Sequence, residues 1–261
     1  MNLLSDQKPS EVTSPEYWDK HWSSVEYGVI REDDPQNGPH GYFLKAMDRH
    51  AGPLGGKTVL ELGGGMSQRL VALMRYRQMQ ATAIDYAPET VKKSRKFFAM
   101  NGCEVELLCE NFFSPTLDFR KFDLVTHWGV LEHQIDPMPL LQRSVALCAE
   151  GGRVVFTMPQ MRGPGAWLWK HFSPSTWEKH IYHSDRAIQE CFSRLHWSCK
   201  PVFWGAPLIH MMPSDIQGLA GRFLEKCQNF GAYYLAKAGM PYQYGLPFIS
   251  ENRGFVAWKN S

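Results

Sequence analysis

Nowhere in the 261 residues does an apolar run reach about 18 residues, the length that a membrane-spanning helix needs. No basic start followed by an apolar core opens the sequence, so no secretory leader is expected. Charge of one sign is missing too. The chain carries 28 basic and 26 acidic residues, has no lysine or arginine run, and has a formal charge of only +2. That balance offers no grip on a phosphate backbone or an anionic bilayer, so no nucleic-acid or membrane partner is expected. The six cysteines, at 103, 109, 148, 191, 199 and 227, form no CxxC pair, which removes the common zinc and dithiol frameworks. They read as reduced, mostly buried thiols, and the expected compartment is the cytoplasm. Internal repeats and low-complexity tracts are absent. What is present is ordinary for a globular protein, with 44% hydrophobic and 21% charged residues. A chain of this length can bury one large core.

The middle of the chain alternates between two periods. Buried strands are expected over 57–63, 80–85, 103–109, 121–129 and 153–159. Helices are expected between them, over 67–77, over 87–102 with Pro88 in the first turn, and from Pro137 behind a capping Asp136. Gly151 and Gly152 are expected to end that last helix. Strands alternating with helices imply βαβ units, a parallel sheet and right-handed crossovers. Two short helices are expected in the first 50 residues, one capped at Ser14-Pro15 and one from Gly41 to His50. After Pro159 the rhythm breaks. Residues 161–183 have no clean period and hold three tryptophans. A capped helix (184–195) and a strand (196–204) follow. A long helix is then expected after Ser214, with Ile216, Leu219, Ala220, Phe223, Cys227, Phe230, Tyr234 and Ala238 as its apolar stripe and Gly239 and Pro241 as its stop. A last strand covers 253–259. The fold expected is α/β: a Rossmann-like, seven-stranded, mostly parallel sheet with helices on both faces. It has an N-terminal helical lid (1–50), a core (51–160), and an aromatic-rich insert after strand five within a cap that completes the sheet (161–261), all in one compact domain.

Gly63, Gly64 and Gly65 follow the first strand directly. Glycine loses the most backbone entropy on folding, so three in a row need a compensating role in a tight turn or beside a ligand. In an open parallel sheet, ligands bind at the carboxyl ends of the strands. Asp85 ends the second strand, where an acid accepts hydrogen bonds from a ribose diol. Glu61 stands just ahead of the glycines and would repel a pyrophosphate. A nucleoside that carries a cation fits better.

These residues resemble the motifs of class I S-adenosylmethionine-dependent methyltransferases. The matching stretches are VLELGGGMS (59–67), AIDYAPETVKKSRKF (83–97), ENFF (110–113), FDLVTHWGVLEH (122–133) and GGRVVF (151–156). Together they cover roughly residues 55–160 in the family's order. The resemblance implies S-adenosylmethionine as cofactor. It implies Glu61, Gly63, Gly64 and Gly65 along the methionine and ribose side, Asp85 on the ribose hydroxyls, Tyr86 on the adenine, and Asn111 with Phe112 beside it. His127, Trp128 and Gly129 border the methionine part, and Tyr17 and Trp22 close over the cofactor. Two positions depart from the family pattern: Ser67 stands where the third motif glycine is usual, and Asn111 where an aspartate is common.

On the acceptor side, methyl transfer needs alignment and, for a neutral nucleophile, loss of a proton. His133, His127 and Glu132 follow the fourth strand and are the expected catalytic groups; a structural role for His133 stays open. The aromatic residues Trp18, His21, Trp167, Trp169, His171 and Trp177 are expected to wall the acceptor pocket, although ordinary packing also uses such residues. No metal is expected. His180 and His183 lie three apart, a spacing zinc can use, but no cysteine pair or acid motif accompanies them. The expected activity is methyl transfer to oxygen or nitrogen of a small aromatic or apolar molecule. A protein or peptide methyltransferase, or a cofactor-binding sensor without transfer chemistry, remains the alternative. The acceptor and the oligomeric state are not assigned.

Overall fold

The computed structural model describes residues 12–23, 25, 27–30, 39–207, 216–237 and 250–260. Two helices come first, α1 (Pro15–Ser23) and α2 (Pro39–Ala51). The alternating region follows as β1 (Thr58–Leu62), α3 (Gln68–Arg77), β2 (Gln80–Asp85), α4 (Pro88–Met100), β3 (Glu106–Cys109), β4 (Phe122–Trp128), α5 (Met138–Leu147) and β5 (Cys148–Pro159). The rest comprises α6 (Gly163–Phe172), α7 (Pro174–Trp177), α8 (Asp185–Arg194), β6 (Trp197–Pro207), α9 (Gly218–Lys237) and β7 (Ser250–Lys259). The seven strands form one sheet in the order β3-β2-β1-β4-β5-β7-β6. The first five pair in parallel, and β7 runs antiparallel between β5 and β6.

The pleat divides the strand residues between two cores. Val59, Ala81, Ala83, Leu124 and Val155 face α2, α3 and α4. Leu60, Leu62, Ile84, Val125, Val154 and Phe156 face the other way, onto Leu140, Leu141 and Leu147 of α5 and Ile188 and Phe192 of α8. Runs of apolar residues buried on both sides are what a parallel sheet requires. The order reverses between β1 and β4, and there the carboxyl ends of the strands open a crevice.

The structure corrects several expectations. α5 ends at Leu147, and β5 already begins at Cys148 and runs through Gly151 and Gly152. The pair therefore serves the strand rather than the helix stop. A Cβ on Gly152 would stand 2.8 Å from the Asp123 carbonyl, and the β4–β5 register shifts there, between Phe122 and Leu124. The aperiodic stretch after β5 folds as α6 and α7, because Trp169 and Met161 bury a small separate cluster with Leu168, Trp177 and Tyr182 around it. On α9 the expected stripe is not a core face. Ile216 is buried, whereas Leu219, Phe223 and Phe230 are exposed. Ser214, Ala238, Gly239 and Pro241 lie outside the described residues, as does the side chain of Tyr234. Among the described residues no helix is long and apolar enough to cross a membrane.

Candidate functional site

The turn between β1 and α3 uses each of its glycines differently. Gly63 has φ +70°, and a Cβ there would meet Val130 Cγ2 at 2.8 Å. A Cβ on Gly64 would stand 2.7 Å from that of Ala83, and one on Gly65 would lie 2.5 Å from Thr90 Cγ2 and 3.0 Å from Asp85 Oδ2. The first glycine makes the turn, and the other two let it press against β2 and α4. Ser67 takes the place of a further glycine without loss: it caps α3, accepting from Leu70 N at 3.0 Å, and donates to Glu61 Oε2 at 2.9 Å.

Asp85 ends β2 facing this turn. Its Oδ2 accepts from Gly65 N at 3.2 Å and its Oδ1 from Ala87 N at 3.0 Å. Burial raises its carboxyl to about 6, against the pull of those amides. Glu61 is fully buried under the turn, and burial raises it to about 7; the Ser67 hydroxyl and the Arg69 charge oppose the rise and Asp85 adds to it. Burial disfavours the charged forms of both acids, so a cation beside them would be favoured.

The linkage has a definite sign. An acid whose pKa is raised by folding stabilises the fold at low pH, and that contribution is lost as pH rises through the folded value. Ionised Glu61 should therefore cost roughly 3 kcal/mol at pH 8. Glu61→Gln, which keeps an oxygen for Ser67, should recover much of it at pH 8 and little at pH 5. Urea unfolding at both pH values checks this, and parallel pH profiles for the two proteins would refute it.

A cleft runs from the turn to the end of β4. It is lined by Thr13, Trp18, Trp22, Gly63, Asp85, Tyr86, Phe112, Trp128, Gly129, Val130, His133 and Gln134. It encloses about 70 Å³, less than the roughly 300–1,000 Å³ usual for small-molecule sites. α1 lies over it, held by polar bonds at its middle and past its C-terminal end. Asp19 Oδ1 accepts from Thr90 N (2.8 Å) and Thr90 Oγ1 (2.9 Å) at the start of α4. Lys93 Nζ donates to the carbonyls of Trp22, Ser23 and Val25.

Of the residues expected at a cofactor, Trp22, Gly63, Asp85, Tyr86, Phe112 and Trp128 line the cleft. Gly64, Gly65 and Glu61 stand behind it. Asn111 does not line it: its Oδ1 accepts from Phe113 N at 2.9 Å and holds the turn after β3. Tyr17 does not line it either; Lys179 Nζ stands 4.8 Å from its ring.

On the acceptor side, Trp18 lines the cleft edge-on to His133, with centroids 5.0 Å apart. His21 sits among Tyr17, Trp18 and Trp22. His127 is a correction. The pleat turns it onto the α5 and α8 face, fully buried and stacked on Phe156 at 4.6 Å, and burial pushes its imidazole down to about 3. It is a neutral core residue and no base. Trp167 is another correction, since it is 64% exposed and stacks on His171 outside the cleft. Trp169 is fully buried, packed edge-on against Trp177 and His180, so it supports the insert rather than walling the pocket. Gly129 lines the cleft as expected, whereas Thr13, Val130 and Gln134 were assigned no role from the sequence. Val130 and Gln134 flank the LEH motif in the turn after β4, a position that already pointed to the site.

His133 and Glu132 lie together in a short 3-10 turn, Leu131–His133. The insert reaches this turn: Ile181 N donates to the Glu132 carbonyl at 2.7 Å, and His133 Nδ1 meets the Lys179 carbonyl at 2.9 Å. His180 follows α7 and stands against His133, ring centroids 4.6 Å apart.

A family model described as a methyltransferase domain matches residues 40–199. A ubiquinone biosynthesis O-methyltransferase from Chromobacterium violaceum is 30% identical over 144 residues, 54% of this chain and 56% of that protein. The mouse EEF1A lysine methyltransferase 2 is 26% identical over 137 residues, 50% of this chain and 56% of that one. The chain thus spans about half the length of the curated relatives it matches. The crystal structure of the YcgJ protein from Bacillus subtilis shares the fold, with a TM-score of 0.59 at 17% identity over 85% of this chain and 100% of that one.

Proposed function

Because the chain belongs to the methyltransferase-domain family, with the fold and motifs of the class I S-adenosylmethionine-dependent enzymes, we propose that it methylates a hydroxyl oxygen of a small aromatic molecule. One observation carries the reading. A single cleft begins at a ribose-accepting acid, Asp85, and ends at a buried imidazole, His133, with aromatic walls between them.

The residues fit S-adenosylmethionine. The glycine turn closes where a Cβ would clash, Asp85 supplies the diol acceptor, and Tyr86 and Phe112 offer flat apolar surface for a base. Glu61 and Asp85 supply the negative potential that a sulfonium and an ammonium need. When bound, the cofactor supplies an activated methyl group. The chain's own work is then to align the acceptor, keep water out and move one proton. α1 covers the cleft, and Trp18 and Trp22 present the edges and faces that suit a flat molecule. The tautomer of His133 suits proton movement. A carbonyl only accepts, so the bond to Lys179 puts hydrogen on Nδ1 and leaves a lone pair on Nε2. The resemblance to ubiquinone O-methyltransferases favours oxygen over nitrogen, and the covered cleft favours a small acceptor over a protein side chain.

The test is turnover. The full chain, given S-adenosylmethionine and a panel of hydroxylated aromatics, amines and basic peptides, should release S-adenosylhomocysteine with a hydroxylated aromatic. Release with peptides alone would overturn the small-molecule reading. Cofactor binding with no release across the panel would mark a binding protein instead.

A further inference from the structure

We infer that Glu132, His133 and His180 form a divalent-cation site of the zinc type at the acceptor end of the cleft. One ligand atom from each of the three lies within 4.8 Å of the other two. Metal bonds of about 2.1 Å place neighbouring ligand atoms roughly 3–4 Å apart, so a small tightening closes the set on one ion.

The surroundings prepare the two rings for this use. His133 Nδ1 meets the Lys179 carbonyl at 2.9 Å, and His180 Nδ1 meets the Thr176 carbonyl at 2.6 Å. Since a carbonyl only accepts, each Nδ1 carries its hydrogen and each Nε2 keeps its lone pair. Metal-binding histidines are held in this way by an outer hydrogen bond to a carbonyl or carboxylate. The bond from Ile181 N to the Glu132 carbonyl ties the turn after β4 to the insert, so ligands from two segments are held in one place. Glu132 is 2% exposed and His133 4%. Two imidazoles and a carboxylate suit zinc and its neighbours better than magnesium, which prefers oxygen.

The pair suggested by spacing alone does not form. His183 turns away, its Nε2 3.0 Å from the Gln134 carbonyl. The fold recruits Glu132 and His133 to His180 in its place, which the sequence spacing did not reveal.

Three protein ligands leave at least one position for a ligand from solution, and His133 opens onto the cleft. With the ion bound, the His133 lone pair serves the metal, and an acceptor oxygen bound there would lose its proton to water near neutral pH in place of direct removal by the ring. This use rests on the methyl-transfer reading above; the binding of the ion does not.

Direct binding tests it. The full chain, stripped with a chelator and titrated with zinc alone, should bind one ion per chain. Cobalt(II) should give the visible bands of a low-coordinate site. His180→Ala and Glu132→Gln should each weaken zinc at least tenfold, and Glu132→Asp should restore part of the loss. Circular dichroism confirms that each variant is folded, and S-adenosylmethionine affinity on the same samples reports separately on the cofactor reading. Failure of the wild type to take up zinc, cobalt or manganese, or equal uptake by folded His180→Ala and Glu132→Gln, would show a hydrogen-bonded triad only and overturn the site.

Discussion

His133→Asn and His133→Gln should both lower turnover by about 10²–10⁴-fold, the usual worth of a group placed to handle a proton in the transition state. S-adenosylmethionine affinity should change little, because His133 stands at the far end of the cleft from Asp85 and the glycine turn. The two replacements divide the roles of the ring. Asn keeps an N–H donor close to where Nδ1 meets the Lys179 carbonyl, and so preserves the tie to the insert. Gln keeps a polar group near the position of Nε2. A residue that only holds the turn would tolerate Asn. Steady-state kinetics at saturating cofactor, with thermal melts of each variant, separate the cases. Wild-type turnover in His133→Asn would reduce His133 to a strut and shift the search to His180.

Asp85→Ala should weaken S-adenosylmethionine binding by tenfold to over a hundredfold. The change removes a charge-assisted bond worth roughly 1.5–3 kcal/mol. It also releases Gly65 N and Ala87 N, whose bonds to the carboxylate order the turn. Asp85→Asn keeps an acceptor for one of these amides and removes the charge, so it should fall between the wild type and Ala. Because burial holds Asp85 at about 6, wild-type affinity should also fall as pH drops through that value, when the carboxyl takes up a proton and ceases to be an anion. The Asn variant should lack that pH step. Calorimetry between pH 5 and 8 gives both results. Equal affinity for folded Asp85→Ala and wild type would remove the ribose assignment.

Much of the fold was legible because its signals are local. The strand at 80–85 falls where the apolar run predicts it, and α8 starts behind Ser184, whose hydroxyl accepts from Ala187 N at 3.1 Å. The same holds at the glycine turn, where the residue types themselves carry the geometry. Signals that depend on partners were read less well. Gly151 and Gly152 look like a helix stop in isolation, but β5 runs through both, and the Asp123 carbonyl comes too close to Gly152 for a side chain. Phe223 and Leu219 look like a core stripe, yet they remain exposed.

The end of the cleft proposed for the cofactor was legible in the sequence. Its residues lie at the ends of consecutive strands, and a parallel sheet with right-handed crossovers brings those ends to one edge whatever the details of packing. The acceptor half was decided only by tertiary structure. His127 and His133 stand six positions apart, and both were expected at the site. The pleat sent His127 into the core against Phe156, while the turn after β4 carried His133 to the cleft. His180 joins Glu132 and His133 from 47 positions along the chain, because the insert packs back on that turn through Ile181 and Lys179. No local period encodes a contact of that kind. It depends on which side chains the two segments bury together, and that is settled only when both have found their places.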